Sequence, residues 1–321
     1  MVSRYELELN EFNLLAEQPD KILVKLKPHQ LTSLNKAIDM ENNGTVNYMI
    51  KNFNYYGQNS NDDYTEVNVG TNVGILGDKV GYGKTLIALS IIAKNPLNKI
   101  YINPNFTKTF NNHKSYNYLS ISMNNNLIKR ERNIINSTLV IVPRGPVFVQ
   151  WEETIKTKTN LRVLAITNFN FIKQTLPKFN GENKDEIFDF FENYDVVLIK
   201  NTTYDVLCDS YYRFELINSW KRVMIDEAHE IITKIPSHIN YHYLWLISGT
   251  YIDLLKRNNS NTFYTYGIKE LLDDYKINLI LVKNNDRFIK NSFHKCFPQL
   301  HTLFTPEKYK SLLKSIENRN Q

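Results

Sequence analysis

The chain contains two short strings, D-K-V-G-Y-G-K-T at Asp78–Thr85 and V-M-I-D-E-A-H at Val223–His229, that decide its predicted fold. An apolar run, Val73–Leu76, precedes the first string, and an apolar helical pattern, Leu86–Ala93, follows it. A glycine-rich turn between a buried strand and a helix is typical of a phosphate-binding loop. The second string is an apolar strand that ends in two adjacent carboxylates. Ligands of open α/β sheets bind at the carboxyl ends of strands, so both strings predict residues at such an edge.

The residues of the first string suit the phosphates of a nucleotide. Gly81 and Gly83 permit the backbone to wrap so that its N–H groups point inward. Lys84 can reach the β- and γ-phosphates, and the Thr85 hydroxyl can coordinate Mg²⁺. Asp78 stands where the strict G-x-x-x-x-G-K-[ST] pattern has its first glycine. The alternative interpretation is a glycine turn that happens to precede a helix.

The second string supplies a pair of carboxylates for metal binding and catalysis. We expect Asp226 to hold Mg²⁺ through water, and Glu227 to orient and activate the attacking water. The alternative is an acidic, solvated strand end, but the preceding apolar run and the upstream phosphate loop favour ATP hydrolysis. The predicted catalytic residues are therefore Lys84, Asp226 and Glu227.

Composition limits the classes of protein that remain. With 321 residues, 42% hydrophobic and 22% charged, the chain is globular and could form one large domain or two ordinary ones. The net charge of +6 suits a polyanionic partner, although the positive residues are dispersed. Cys208 and Cys296 form no C-x-x-C, which indicates a reducing compartment without a disulfide framework or zinc site. No signal-peptide core or membrane-length apolar run occurs, so we expect a soluble intracellular protein without a membrane partner.

Apolar runs alternate with helical patterns along most of the chain, which predicts an α/β fold with a parallel sheet and flanking helices. Two polar, Asn-rich stretches, Asn43–Asn72 and Asn95–Ser137, are predicted to be surface excursions. Beyond the apolar run that precedes the phosphate loop, the predicted strands are Thr138–Pro143, Leu161–Ile166, Tyr194–Ile199, Arg222–Ile225 and Leu244–Ile247. The other predicted helices are Leu26–Asn42, Pro146–Lys156, Lys184–Glu192 and Thr305–Ile316.

These motifs resemble the first RecA-like lobe of the superfamily-two helicases, and most of all the Swi/Snf-type translocases on double-stranded DNA. The phosphate loop of that family typically reads D-E-M-G-L-G-K-T, so Asp78 matches the family. L-K-P-H-Q at Leu26–Gln30 resembles the family's adenine-reading motif. The resemblance implies nucleotide binding by Gln30, Asp78, Gly81, Gly83, Lys84 and Thr85, with Mg²⁺ held by Thr85 and Asp226.

Further segments resemble the family's nucleic-acid motifs. L-V-I-V-P-R-G-P-V-F-V-Q-W at Leu139–Trp151 resembles the motif that follows the phosphate loop, although Trp151 taken alone is more typical of core packing. Y-D-V-V-L-I-K-N-T-T-Y at Tyr194–Tyr204 resembles the strand that leads to a T-T-Y element. The nucleic-acid contacts that this resemblance implies are Pro143, Arg144, Thr202 and Thr203.

L-I-S-G-T at Leu246–Thr250 resembles the motif that couples hydrolysis to movement, and Tyr251 replaces the proline that usually follows it. The implied coupling residues are His229, Ser248, Gly249 and Thr250. Six elements in the family's order span about two-thirds of the chain. Their order, more than any single motif, supports the resemblance.

The family also has a second RecA-like lobe that supplies an arginine finger, but 71 residues (321 − 250) follow Thr250. The strings F-I-K-N-S-F and L-F-T-P-E-K-Y-K-S-L-L resemble the connection between the lobes. We therefore predict three regions. Residues 1–66 form an N-terminal segment with the adenine-reading motif and a polar insertion. Residues 67–284 form the ATP-binding lobe, with an insertion at about 95–137, and residues 285–321 form a linker towards a second lobe.

The sequence thus predicts the ATP- and Mg²⁺-binding lobe of a nucleic-acid-dependent ATPase, a helicase or a translocase on duplex DNA. Its other partner is a second lobe or protein that supplies the arginine finger, without which hydrolysis falls by about 10³–10⁵. A non-catalytic, ATP-responsive scaffold or adaptor is the alternative. A P-loop kinase would leave the T-T-Y and S-G-T elements unexplained. The Asn-, Lys-, Ile- and Tyr-rich composition resembles proteins of AT-rich genomes and large DNA viruses, which would place the chain in host cytoplasm, viral factory or virion.

Overall fold

The computed structural model describes residues 8–51, 64–97, 110–113, 116–123, 134–175, 184–211, 219–232, 240–256 and 276–294. Within these ranges no helix combines the length and the apolar character needed to cross a membrane. The predicted helix Thr305–Ile316 lies outside the described residues.

Eleven strands and ten helices form in these ranges. In chain order they are α1 (Pro28–Asn43), β1 (Thr45–Lys51), β2 (Tyr64–Thr71), β3 (Val73–Leu76), α2 (Lys84–Lys94), β4 (Phe110–His113), β5 (Tyr116–Met123), β6 (Ile135–Val142), α3 (Pro146–Lys158), β7 (Val163–Ile166), α4 (Phe169–Thr175), α5 (Lys184–Glu192), β8 (Val196–Lys200), α6 (Asn201–Tyr211), β9 (Ser219–Asp226), α7 (Ala228–Ile231), β10 (Asn240–Ile247), α8 (Asp253–Lys256), α9 (Lys276–Leu279), β11 (Leu281–Val282) and α10 (Asp286–His294).

The central sheet has seven strands in the order β11-β3-β10-β9-β6-β8-β7, and every neighbouring pair is parallel. All residues of β3 are buried, and so are Val196–Ile199 of β8. Strands buried on both faces are typical of parallel sheets that helices cover. Helices α3, α5 and α6 pack against these strands, while α1 packs on α2 and α10. The predicted RecA-like α/β fold is confirmed.

Helix α1 begins at a proline and ends before a glycine, two residues typical of helix ends. Pro28 occupies the first turn, and Gln30 Oε1 accepts a hydrogen bond from the backbone N–H of Lys27 at 2.9 Å. Such a bond satisfies one of the groups that a helix start leaves open. Gly44 ends the helix with φ 59°, and its N–H donates to the Met40 carbonyl at 3.0 Å. A left-handed glycine is the commonest C-terminal cap, because it has no Cβ to strain.

A second, four-stranded sheet joins the two Asn-rich stretches in the order β1-β2-β5-β4. Strands β1 and β2 form an antiparallel pair, and β2 pairs in parallel with β5. The sequence predicted these stretches as polar surface excursions, and all of its predicted strands lie outside them. The pairing of β2 with β5 joins segments far apart in the chain, and a weak apolar pattern gives no signal for it.

Two further differences from the sequence expectations concern the sheet and its C-terminal side. Strand β6 begins at Ile135, three residues before the predicted start, and Ile135 and Ser137 are buried. The end of the predicted excursion therefore belongs to the central sheet. Helix α10 begins the segment that the sequence assigned to a linker, and its residues Phe288 and Ile289 are buried. The division of the chain into three regions stays a prediction.

A buried carboxylate ties four elements together. Glu41 of α1 accepts two hydrogen bonds from Arg222 of β9, each at 2.7 Å. Trp245 of β10 and Asn95, which follows α2, each donate to the same carboxylate at 2.8 Å. Arg222 also donates to Thr138 Oγ1 at 3.1 Å and to the Asn95 carbonyl at 2.8 Å. The Arg222 and Glu41 side chains are only 2% and 0% exposed, so this network is shielded from water.

We predict that Arg222→Met lowers the free energy of unfolding by about 3–5 kcal/mol, because it leaves the Glu41 charge buried without its partner. Urea denaturation of the two proteins measures this difference. Lys94→Gln is the control, since it removes an exposed ion pair with Glu17 that contributes at most about 1 kcal/mol. An Arg222→Met protein as stable as the control would contradict a structural role for the network.

Lys221 of β9 and His242 of β10 occupy facing positions on neighbouring strands. Burial and then the Lys221 charge lower the pKa of His242 to about 4. Burial and then the Arg222 charge lower the pKa of Lys221 to about 8, while its Nζ donates to Asn136 Oδ1 at 2.6 Å. In the described part of the chain His242 Nε2 is buried without a hydrogen-bond partner. The fold therefore holds this imidazole neutral.

This predicts that stability falls as the pH is lowered from about 6.5 to about 4. In that window the unfolded chain binds a proton at His242 that the folded chain does not. The contribution of His242 to the free energy of unfolding is therefore fully present above the pKa of the unfolded chain. Because His242 is partly exposed, we expect about 1–2 kcal/mol after solvent screening. Urea denaturation at several pH values should show a shallower pH dependence for His242→Gln than for the natural protein. Equal slopes would show that His242 does not titrate in this way.

Candidate functional site

The carboxyl ends of β3, β10 and β9 stand side by side in the central sheet. Leu76 pairs with Ile247, and Ile247 pairs with Asp226. The glycine loop leaves the sheet after Leu76, the S-G-T element leaves it after Ile247, and Glu227 follows Asp226. The strand register therefore brings three of the predicted motifs to one edge.

The glycine loop has the backbone that its sequence predicts. Gly81 and Gly83 have φ angles of 87° and 82°, a region that other residues rarely adopt. Gly83 is also confined by its surroundings, because a Cβ there would lie 2.3 Å from Gln30 Nε2. Helix α2 begins directly after Gly83, which has no side chain to bond the first N–H groups of the helix. N–H groups in this position bind anions.

Lys84, the first residue of α2, is placed between the loop and the carboxylates. Its side chain is buried, and Nζ donates to the Lys79 carbonyl at 3.2 Å. Burial lowers the pKa of Lys84, against the raising effect of the nearby Glu227 and Asp226 charges. Thr85 follows on the first turn of α2 and is half-buried. The structure thus brings the predicted phosphate-binding lysine within electrostatic range of both predicted acidic residues.

Asp226 is held in a fixed orientation at the end of β9. Its Oδ1 accepts the Glu227 backbone N–H at 2.9 Å, and its Oδ2 accepts the indole N–H of Trp151 at 2.6 Å. Burial raises the pKa of Asp226, and the hydrogen bond from Trp151 opposes this effect. The sequence prediction missed Trp151 as part of the site. A buried indole N–H needs an acceptor, which was the available signal, but the sequence could not show which acceptor it finds.

Glu227 has a strained backbone at the point where the chain leaves the sheet. Its φ of 45° and ψ of 46° lie in the left-handed region, which costs a residue with a side chain about 1–3 kcal/mol. Burial and then the Asp226 charge raise the pKa of Glu227. Its Oε2 lies 3.5 Å from His229 Nδ1. Hydrogen bonds thus hold the Asp226 carboxylate at the end of β9, and the Glu227 carboxylate lies beside His229.

The predicted coupling residues form a connected group. His229 Nδ1 lies 2.9 Å from Ser248 Oγ, which also accepts the Thr250 backbone N–H at 3.2 Å. A Cβ at Gly249 would lie 3.3 Å from Lys84 Nζ, so this glycine permits the S-G-T element to pack against the phosphate loop. Tyr251, in place of the family's proline, is buried in the core.

Gln30, in the predicted adenine-reading motif, and Asp78, the first residue of the phosphate loop, lie at the same site. Gln30 is buried, with its Nε2 beside Gly83. Asp78 is only 3% exposed, and Asn284 donates to both of its oxygens. Burial raises the pKa of Asp78, and the Asn284 hydrogen bonds oppose this effect. The carboxylate of Asp78 therefore faces Asn284, and its predicted contact with nucleotide stays a prediction.

The predicted nucleic-acid residues lie at the same edge of the sheet, after β6 and β8. Arg144 and Thr202 are exposed, whereas Pro143 and Thr203 are buried. Lys200, which the sequence prediction did not include, ends β8 and places its Nζ 4.9 Å from the centre of the Phe148 ring. Arg144 and Thr202 are thus the two predicted residues whose side chains are available to a partner.

The candidate metal ligands Thr85 and Asp226 offer a hydroxyl and a carboxylate, the hard oxygen donors that Mg²⁺ prefers. Among the described residues no group of three His, Cys, Asp or Glu side chains is placed to hold a metal ion. A magnesium ion that binds through one carboxylate, a hydroxyl, water and substrate phosphates needs no such group. The residues present therefore fit Mg²⁺ bound together with a nucleotide.

Known proteins resemble this chain in sequence and in fold. Over 189 residues it is 26% identical to the DNA repair protein RAD5B of Arabidopsis thaliana, a match that covers 55% of this chain and 13% of that protein. The Sulfolobus solfataricus SWI2/SNF2 ATPase core in complex with double-stranded DNA matches 83% of this chain and 37% of its own, with 19% identity and a TM-score of 0.41. A nuclease-deletion mutant of the Type ISP restriction-modification enzyme LlaGI in complex with a DNA substrate mimic matches 71% of this chain and 18% of its own, with 15% identity and a TM-score of 0.39.

The chain therefore spans a small part of the length of these relatives. The family described as the SNF2-related domain matches residues 1–262, which is most of the chain. This match confirms the Swi/Snf-like, superfamily-two resemblance that the order of the motifs predicted. The chain belongs to the SNF2-related domain family.

Proposed function

We propose that this chain contains the ATP-binding lobe of an ATPase that is stimulated by duplex DNA and moves along it. The observation that carries the proposal is the meeting of the glycine loop, Asp226–Glu227 and the S-G-T element at one sheet edge. Membership of the SNF2-related domain family supports it.

ATP would lie with its phosphates on the glycine loop and its base near Gln30. The N–H groups at the start of α2 and the Lys84 ammonium would neutralise and position the phosphates. Thr85 and Asp226 would hold Mg²⁺, and the bound ion supplies further charge neutralisation to the phosphates. The Trp151 indole fixes the Asp226 carboxylate, so little reorganisation is needed when ATP binds.

Glu227 would orient the attacking water and accept its proton. The raised pKa of Glu227 moves this carboxyl towards the range in which a general base is effective. His229 connects Glu227 to Ser248 and so to the loop that leaves β10. Through these contacts, a change in the protonation or position of the Glu227 carboxylate would alter the loop that follows β10.

Arg144 and Thr202 would contact the phosphate backbone of duplex DNA. Contacts of this kind position a protein on DNA without reading its sequence, which suits movement along it. A second RecA-like lobe or a partner protein would supply the arginine finger. For this reason we expect weak hydrolysis from the lobe alone.

We predict that duplex DNA stimulates steady-state ATP hydrolysis by this chain, and that Glu227→Gln lowers turnover by at least about 10²-fold. The variant should still bind a fluorescent ATP analogue, because Lys84, Thr85 and Asp226 remain. Glu230→Gln is the control, since Glu230 is more exposed and lies 3.9 Å from His229. Unchanged turnover in Glu227→Gln would contradict the proposed role. Nucleotide binding without any turnover on DNA would favour the non-catalytic scaffold.

We further predict that Trp151→Phe weakens Mg²⁺-dependent ATP binding by about tenfold, equivalent to about 1.4 kcal/mol. The change keeps an aromatic ring but removes the N–H that orients Asp226. Titration of a fluorescent ATP analogue at several Mg²⁺ concentrations measures the effect. Trp220→Phe is a matched control, because the Trp220 indole N–H is buried and has no acceptor in the described residues. If both variants bind the analogue equally well, Trp151 has no role in the site.

A further inference from the structure

The segment Lys283–Phe293, here called the clamp, contacts the phosphate loop through its first residues. The backbone N–H of Asn284 donates to Asp78 Oδ1 at 2.7 Å, and its Nδ2 donates to Asp78 Oδ2 at 2.8 Å. The same Nδ2 donates to Ser33 Oγ of α1 at 2.6 Å. Asn284 is fully buried. One amide side chain therefore joins the base of the phosphate loop to the helix that carries Gln30.

Two other contacts join the clamp to the same loop. Asp286 forms an exposed ion pair with Lys79. At the other end of α10, the Phe293 ring packs on Tyr82, with centroids 6.0 Å apart, and on His29 at 5.5 Å. His29 Nε2 is in turn 3.2 Å from the Tyr82 carbonyl. The clamp thus touches the loop near its beginning and again beside its second glycine.

The clamp is itself held from the outside by the N-terminal segment. The Leu9 N–H donates to the Lys283 carbonyl, and the Asn285 N–H donates to the Leu9 carbonyl, each at 2.8 Å. Glu8 forms an ion pair with Lys283. These contacts fix the backbone on both sides of Asn284. The Asn284 amide that bonds Asp78 is therefore carried by a backbone held on both sides.

The polar contacts of Asn284 indicate more than packing. Its Oδ1 is buried and has no hydrogen-bond partner among the described residues. A leucine of similar size would fill the space without an unpaired carbonyl, which is unfavourable in a buried site. Leucine would keep the backbone N–H donor to Asp78 Oδ1, but it would lack the Nδ2 group that donates to Asp78 Oδ2 and Ser33 Oγ. Together the backbone and side-chain donors restrain both oxygens of the first residue in the phosphate loop.

We propose that Asn284 is a positioning residue for nucleotide binding, which holds the phosphate loop in its binding conformation through Asp78. The proposal rests on the proposed function of the loop. Because coupling between two sites is reciprocal, nucleotide on the loop stabilises the clamp as much as the clamp stabilises bound nucleotide. The nucleotide state is thereby coupled to the clamp itself.

Nucleotide binding by variants of the pair tests the positioning role. Asn284→Leu lowers the affinity for a fluorescent ATP analogue by about tenfold, equivalent to about 1.4 kcal/mol. Asn284→Asp places two carboxylates together and weakens binding at least as much. Adding Asp78→Asn to Asn284→Asp exchanges donor and acceptor and restores most of the affinity. Arg287→Gln, on the exposed side of α10, is the control and leaves the affinity unchanged. Full affinity in Asn284→Leu, or no recovery in the exchanged pair, overturns the proposal.

Hydrogen exchange separates this proposal from the proposed function. In the natural protein, a non-hydrolysable ATP analogue with Mg²⁺ should slow amide exchange in peptides that cover residues 78–86 and in those that cover 284–293. In folded Asn284→Leu, the analogue should no longer slow exchange in the peptides that cover residues 284–293. Protection of the phosphate loop without the clamp, in the natural protein, overturns the positioning role and leaves the proposed function in place. Protection of neither segment overturns both.

Discussion

The arrangement of the site depends on the hydrogen bonds that the buried Glu41 carboxylate accepts. Its hydrogen bonds from Arg222, Trp245 and Asn95 join α1, β9, β10 and the end of α2. Helices α1 and α2 carry the predicted adenine-reading glutamine and phosphate-binding lysine at their other ends, while β9 and β10 lead from Arg222 and Trp245 to the acidic pair and the S-G-T element. At about 1.5 Å per helical residue, Glu41 lies about 16 Å along α1 from Gln30. The site is therefore built on four elements that this one carboxylate holds together.

At the site end, hydrogen bonds hold the carboxylates of the predicted motifs in fixed orientations. Trp151 restrains Asp226, and Asn284 restrains the base of the phosphate loop. Only Glu227 adopts an unfavourable backbone conformation, among the proposed catalytic residues. The two acids have different partners, since Asp226 accepts the Trp151 indole N–H and Glu227 lies beside His229, so they can differ in role. A fixed acid for metal and a second acid for water agree with the chemistry of ATP hydrolysis.

The sequence predicted those features that depend on neighbouring residues or on motif order. Apolar runs located six of the seven strands of the parallel sheet, all but the two-residue β11, and the bounds of Lys184–Glu192 agree with the structure. The order of the motifs anticipated that His229 lies beside Ser248. Pairings over long separations were not predictable, because nothing local marks them. Arg222 bonds Glu41, which is 181 positions away in the sequence, and Asn284 bonds Asp78, which is 206 positions away. The pairing of β2 with β5, which joins the two Asn-rich stretches, was missed for the same reason.

Calorimetric titration with a non-hydrolysable ATP analogue tests the central claim most directly, namely that this sheet edge binds ATP with Mg²⁺. The account predicts saturable binding at one site, weaker in EDTA than in Mg²⁺ and lost in Lys84→Ala. Lys94→Ala, which removes an exposed ion pair with Glu17 at the other end of α2, should bind the analogue nearly as well as the natural protein. Absence of binding to the folded natural protein, or equal affinity in Lys84→Ala, would contradict the account.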